Sequence, residues 1–210
     1  SAAGSRPEGR SVRRLPDALS QVEVYALLQQ FRPATLNGLR NLATVLLMLR
    51  AGLRVSEVSH LRPADLDRQT ARLMIRNGKG DKDRAVFLDP ELLAVVGLWL
   101  EKRPAGEWLV CSLRRGVRGY GTATYAGQFT SRGIQQMLAR ASKTAGVRRV
   151  HPHMLRHTFA TTELTRGVPL NQLQADLGHS WLSTTAIYLH LVDGQREQSA
   201  RERKPLGIVT

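Results

Sequence analysis

The chain has 210 residues, 42% hydrophobic and 23% charged, a globular balance with room for a core that needs no covalent staples. Thirty-one Lys and Arg against seventeen Asp and Glu leave a net +14, which points to a polyanionic partner, and to nucleic acid before an acidic membrane because no strongly amphipathic basic helix stands out. A single cysteine, Cys111, excludes an internal disulfide; the run Val45–Leu49 is too short to cross a bilayer; and the opening SAAGSRPEGR lacks the apolar segment of a secretion signal, so a cytoplasmic setting is expected.

Residues 1–15 are rich in Gly, Ser and Arg and read as a flexible basic leader. Ser20-Gln-Val-Glu23 is a capping-box pattern that opens a helix to about Gln30, and Pro33 interrupts it. A second helix is expected over Thr35–Arg50, with Leu39, Leu42, Leu46 and Leu49 on one face and Gly52 at its end. A short helix follows over Ser56–Leu61 and stops at Arg62-Pro63. The period then changes. TARLMIR (70–76) and RAVFL (84–88) read as strands joined by the glycine-rich NGKGDKD, a β-hairpin. Asp89-Pro90 starts a helix to about Arg103, Trp108–Cys111 reads as a short strand, and 112–128 as a surface loop. Helices are expected over Thr130–Ala145, Pro152–Arg166, Pro169–Leu177 and Ser183–Leu191, with a polar tail after them. The expected fold is mainly α with one small antiparallel β-sheet (α+β), in one domain over 16–192 and a tail over 193–210.

Six polar residues stand at awkward places. Arg54 follows the Gly52 break, Lys79 sits between two glycines in the hairpin turn, and His153 and Arg156 are three apart on one helix face inside an apolar stretch. His179 follows Gly178 at a helix end, and Tyr188 lies nine residues later. Each has a plain structural explanation. Arg54 can pair with Glu57 on the surface, Lys79 can be a solvated turn lysine, His179 can cap a helix, and Tyr188 can be a core residue. His153 and His157 have i,i+4 spacing, but no HExxH and no carboxylate or cysteine cluster accompanies them, so no metal is assigned.

The stretches AGLRVSEVSHL, NGKGDKDR, HPHMLRHTFATTEL and LGHSWLSTTAIYLHL, taken together, resemble the tyrosine recombinase (phage integrase) family, and within it the Xer-like recombinases. The resemblance runs from about Leu15 to about Val192. It implies the family's catalytic-domain fold and site-specific breakage and rejoining of double-stranded DNA through a 3′-phosphotyrosine, in integration, excision or dimer resolution. By the same resemblance, Arg54 and Arg156 are the two catalytic arginines, Lys79 the catalytic lysine, His153 the histidine of the H-x-x-R element, His179 the late histidine and Tyr188 the nucleophile. Glu57 matches a commonly acidic position that buttresses the arginines. No cofactor is implied. The expected assembly is a monomer alone and a homo-tetramer on two DNA sites, with the tail after Val192 as a candidate docking segment. Family members usually carry an N-terminal helical domain that clamps the other face of the DNA. Here a short basic leader precedes the catalytic part, so the expectation is a fragment or a minimal recombinase.

The chemistry suits these residue types. A phenol supplies the attacking oxygen and stores the bond as an ester, although at its ordinary pKa only about 0.1% is ionised at pH 7. Guanidinium groups stay charged and fork onto phosphate oxygens, a task that divalent metal performs elsewhere. One preorganised donor of this kind is worth roughly 10²–10³ in rate. A lysine on a glycine-rich turn can protonate the leaving oxygen. A histidine at position 153 is suited to move the phenol's proton, and one at 179 to donate to a phosphate oxygen. Ester exchange needs no ATP, and no GxxxxGK[ST] loop is present. DNA binding should weaken roughly 10³–10⁵-fold between about 50 and 200 mM salt. Two other readings are a type IB topoisomerase-like relaxing enzyme and a non-catalytic DNA-binding module.

Overall fold

A computed structural model describes residues 17–76, 83–115, 124–125 and 127–178. The leader, Lys79 with its turn, most of the 112–128 stretch, His179, the expected helix over Ser183–Leu191 with Tyr188, and the tail lie outside the described residues.

Helix α1 (Gln21–Leu28) starts where the capping box places it. The Glu23 amide donates to Ser20 Oγ at 3.3 Å and the Ser20 amide to Glu23 Oε2 at 2.8 Å. Helix α2 (Leu36–Arg50) is capped by Thr35, whose Oγ1 accepts from the Gly38 amide at 3.0 Å. Residues 43–48 of α2 are all buried, so it is the central helix rather than one with a single apolar stripe. It packs on α4 (Pro90–Lys102) and α6 (Pro152–Thr165). Asp89 caps α4 by accepting from the Glu91 and Leu92 amides, and it also receives Arg50 Nε at 2.8 Å. Helix α3 (Val55–His60) follows Gly52.

The hairpin is present as β2 (Arg72–Ile75) and β3 (Arg84–Phe87), antiparallel, with Ile75 opposite Arg84 and Leu73 opposite Val86. A third strand, β1 (Leu66–Asp67), pairs with β2 and follows a 3₁₀ turn over Pro63–Asp65, giving the order β1-β2-β3. Leu73, Ile75 and Val86 turn their side chains into the core.

Two expectations change. Trp108–Cys111 is no strand: Leu109 donates to the Leu61 carbonyl at 2.7 Å, and Cys111 makes an isolated bridge with Gln128. Burial of Leu109, Val110 and Cys111 explains the apolar run, and among the described residues the 127–129 segment pairs with this stretch through isolated bonds rather than a strand ladder. The stretch 112–128, expected as loop, contains the pair β4 (Arg114–Arg115) and β5 (Thr124–Tyr125). Helix α5 (Ser131–Ala145) ends on Gly146 in the left-handed region, and α7 (Leu170–Leu177) ends on Gly178 at φ +82°. Phe159, Ala160 and Leu164 of α6 form a small cluster with Leu173 and Leu177 of α7.

Candidate active site

The site grows from Gly52. Its φ is +65°, and a Cβ there would stand 2.5 Å from the Phe159 ring and 2.9 Å from Leu177. Only glycine lets α2 turn this tightly against α6 and α7. The next turn of chain delivers Arg54 to the N-terminus of α3, with its side chain 24% exposed.

Glu57, one helical turn on, is the organising residue. It is buried, and three arginines converge on it. Oε2 accepts from the Arg54 amide at 2.8 Å, and Oε1 accepts from Arg54 Nη1 at 2.9 Å. Arg84, at the start of β3, donates Nη1 to Oε1 at 2.8 Å and Nη2 to Oε2 at 2.9 Å, a two-pronged bond across the fold. Arg84 Nε donates to the Asp176 carbonyl near the end of α7 at 2.8 Å. Arg156 Nη1 lies 4.0 Å from Glu57 Oε2. Burial alone would raise the Glu57 carboxyl pKa. The hydrogen bonds and charge of Arg84, the Arg54 amide and the charge of Arg156 outweigh burial and hold it below its ordinary value.

Arg156 is fixed independently. Nη1 donates to the Gly52 carbonyl at 2.7 Å and Nη2 to the Leu177 carbonyl at 2.6 Å. These carbonyls draw the guanidinium inward, whereas His153, in the first turn of α6, is exposed beside His151. His153 and Arg156, three apart on α6, therefore point apart: His153 faces out, and Arg156 reaches inward toward Glu57. The surface reading of the Arg54–Glu57 pair is corrected, because Glu57 is buried. Burial, with His153, Arg156 and His151 nearby, pushes the His157 imidazole pKa down. Among the described residues, no group of three His, Cys, Asp or Glu side chains could hold a metal, and no helix is long and apolar enough to cross a membrane.

Three guanidinium groups around one carboxylate leave an excess of two positive charges, held by rigid elements. Such a cluster attracts a tetrahedral oxyanion and needs no reorganisation to bind it. Gly178 lies over this cluster: a Cβ there would be 3.6 Å from Arg84 Nη1 and 3.7 Å from Arg54 Nη1. The chain thus passes the arginines one residue before His179. Of the six candidates, Arg54 and Arg156 converge through Glu57, and His153 stands exposed one turn before Arg156. Lys79, His179 and Tyr188 lie outside the described residues.

Residues 17–195 match the model of the phage integrase family. The chain belongs to that family. Tyrosine recombinase XerA of Thermococcus kodakarensis is a family relative 39% identical over 177 residues, which cover 84% of this chain and 58% of that protein. A crystal structure of XerA recombinase matches at a TM-score of 0.71 and 32% identity, over 91% of this chain and 67% of that one. A structure of XerH site-specific recombinase bound to a palindromic difH substrate, a post-cleavage complex, matches at 0.69 and 27%, over 90% and 54%. The chain spans between 58% and 66% of the length of the curated relatives it matches. The mainly helical architecture with a small antiparallel sheet is that of the family's catalytic domain.

Sequence reasoning assigned no role to Arg84. Its position in NGKGDKDR, the first residue of a strand that returns toward the acidic residue of GLRVSE, was the available signal.

Proposed function

We propose that this chain is the catalytic domain of a site-specific DNA recombinase, acting in the cytoplasm, that cleaves and rejoins DNA strands through a 3′-phosphotyrosine. The observation that carries the reading is the clamp on Glu57, which presents Arg54, with Arg156 held beside it by the Gly52 and Leu177 carbonyls. In this reading, Arg54 and Arg156 bind the non-bridging oxygens of the scissile phosphate, and the Tyr188 oxygen attacks phosphorus. The P–O bond to the 5′ oxygen breaks as the phosphotyrosine bond forms, and Lys79 supplies the proton that the 5′ oxygen takes up. In the same reading His153, exposed at the start of α6, accepts the phenol's proton, and His179 donates to a phosphate oxygen. Rejoining reverses these steps with a 5′ hydroxyl from the partner duplex. The net charge of +14 favours a DNA backbone, and the structural relative solved with its difH substrate supports the same partner. On DNA the proposed assembly is a homo-tetramer bringing two sites together, with a monomer in free solution.

The test is a nicked suicide duplex that traps the covalent intermediate. The wild type is expected to give an adduct that survives denaturation, and Tyr188→Phe none. A wild-type chain that binds the duplex and forms no adduct would overturn the reading.

A further inference from the structure

Arg40, in the second turn of α2, is 9% exposed, and no carboxylate pairs with it among the described residues. Its Nε and Nη2 donate to the neutral side-chain carbonyl of Asn41, at 3.0 and 2.7 Å, and its guanidinium lies 4.1 Å from the centre of the Phe129 ring. Arg156, also buried, and Arg84 face Glu57 instead. Burial pushes the Arg40 pKa down to about 10. Buried charges are normally paired, because removing a cation from water is expensive. A ring face and an amide oxygen offset only part of that cost.

Arg40 lines a cavity of about 460 Å³ between the end of α1, the start of α2, the approach to β4 and one face of α5. Arg140 stands exposed on the α5 side of the same cavity. Phe31, Phe129 and Met137 give it apolar walls, and Gln136 adds an amide. None of its lining residues belongs to the Arg54–Glu57–Arg84–Arg156 cluster. The volume exceeds what a bare oxyanion fills and falls in the range of small-molecule pockets.

We propose that this cavity is a second anion site, which takes a small molecule carrying an oxyanion head group on an aromatic or apolar body. Arg40, at depth, and Arg140, at the mouth, hold the head group. Phe31 and Met137 pack against the body, and the Phe129 ring keeps the Arg40 guanidinium in plane for two-pronged contact. Arg40 supplies the missing half of a buried ion pair.

The probe is phenyl phosphate, titrated into the full chain by calorimetry, with benzyl alcohol as the neutral control. Millimolar binding is expected in the wild type and equally in Arg54→Ala, whose candidate active site is weakened. Binding should weaken at least tenfold in Arg40→Met and in Arg140→Ala, and benzyl alcohol should show none. Without probe, Arg40→Met should melt no lower than the wild type, since it removes a buried charge that no carboxylate pairs among the described residues, at similar volume. Unchanged affinity in Arg140→Ala, or loss of binding in Arg54→Ala alone, overturns the proposal, as does absence of wild-type binding. Should Arg40→Met fail to fold, Arg140→Ala, altered at an exposed position, decides alone.

Discussion

Arg84 and Glu57, 27 residues apart, meet in a two-pronged ion pair with both side chains at or below 10% exposure. The pair joins the strand that follows the GKG stretch to the helix that carries Arg54, and a third bond from Arg84 reaches the carbonyl of Asp176. Three elements distant in sequence are thereby set in register around one carboxylate. Arg84→Met should cost about 3–5 kcal/mol, because it leaves Glu57 short of its strongest partner in a desolvated place. At roughly 2–4 °C per kcal/mol, a thermal melt should fall by about 6–20 °C. Arg84→Lys keeps the charge and loses the fork, so it should fall between the two. A melt of Arg84→Met within 2 °C of wild type would show that the pair contributes nothing.

The same carboxylate predicts a pH dependence. Glu57 has its pKa held below the ordinary 4.5 in the folded chain. A depressed folded pKa means that the unfolded chain binds the proton first. The contribution is then complete above about pH 4.5 and is lost as pH falls through the folded value. Melting temperature followed from pH 7 to pH 3 should show this loss in the wild type, and Glu57→Gln should show a smaller acid slope from a lower neutral-pH start. Identical acid slopes in the two proteins would remove Glu57 from the account.

Gly52 offers a steric test. Alanine there would meet the Phe159 ring at 2.5 Å in a backbone conformation at φ +65° that favours glycine. Strain and overpacking together should cost at least about 2 kcal/mol. The Gly52 carbonyl also holds Arg156, so adduct formation in Gly52→Ala should fall further than the folded fraction does. The double variant Gly52→Ala with Phe159→Leu should regain part of the stability. Adduct yield that simply tracks the folded fraction would separate the glycine from the arginine.

Local interactions made most of the helices readable in advance. The capping box at Ser20 and the Asp89-Pro90 start of α4 act within four residues of themselves, so their outcome is written in the neighbouring letters. The pairing of β2 with β3 was readable for the same reason, since two β-rich runs flank a glycine-rich stretch of sequence. Trp108–Cys111 misled because full burial and strand membership produce the same apolar run, and only the fold reveals whether a partner strand is there. Arg54, His153 and Arg156 stood out by type and neighbours, but their orientation was not legible. His153 and Arg156 share a helix face by spacing, yet two carbonyls from distant segments draw Arg156 inward while His153 faces solvent. The sequence alone therefore determined which side chains are available and which short segments carry them. Tertiary structure alone decided that Glu57 is buried among three guanidinium groups and that Arg84 completes the clamp, because pairing of charges across 27 and 99 residues depends on the packed path of the chain and not on any local pattern.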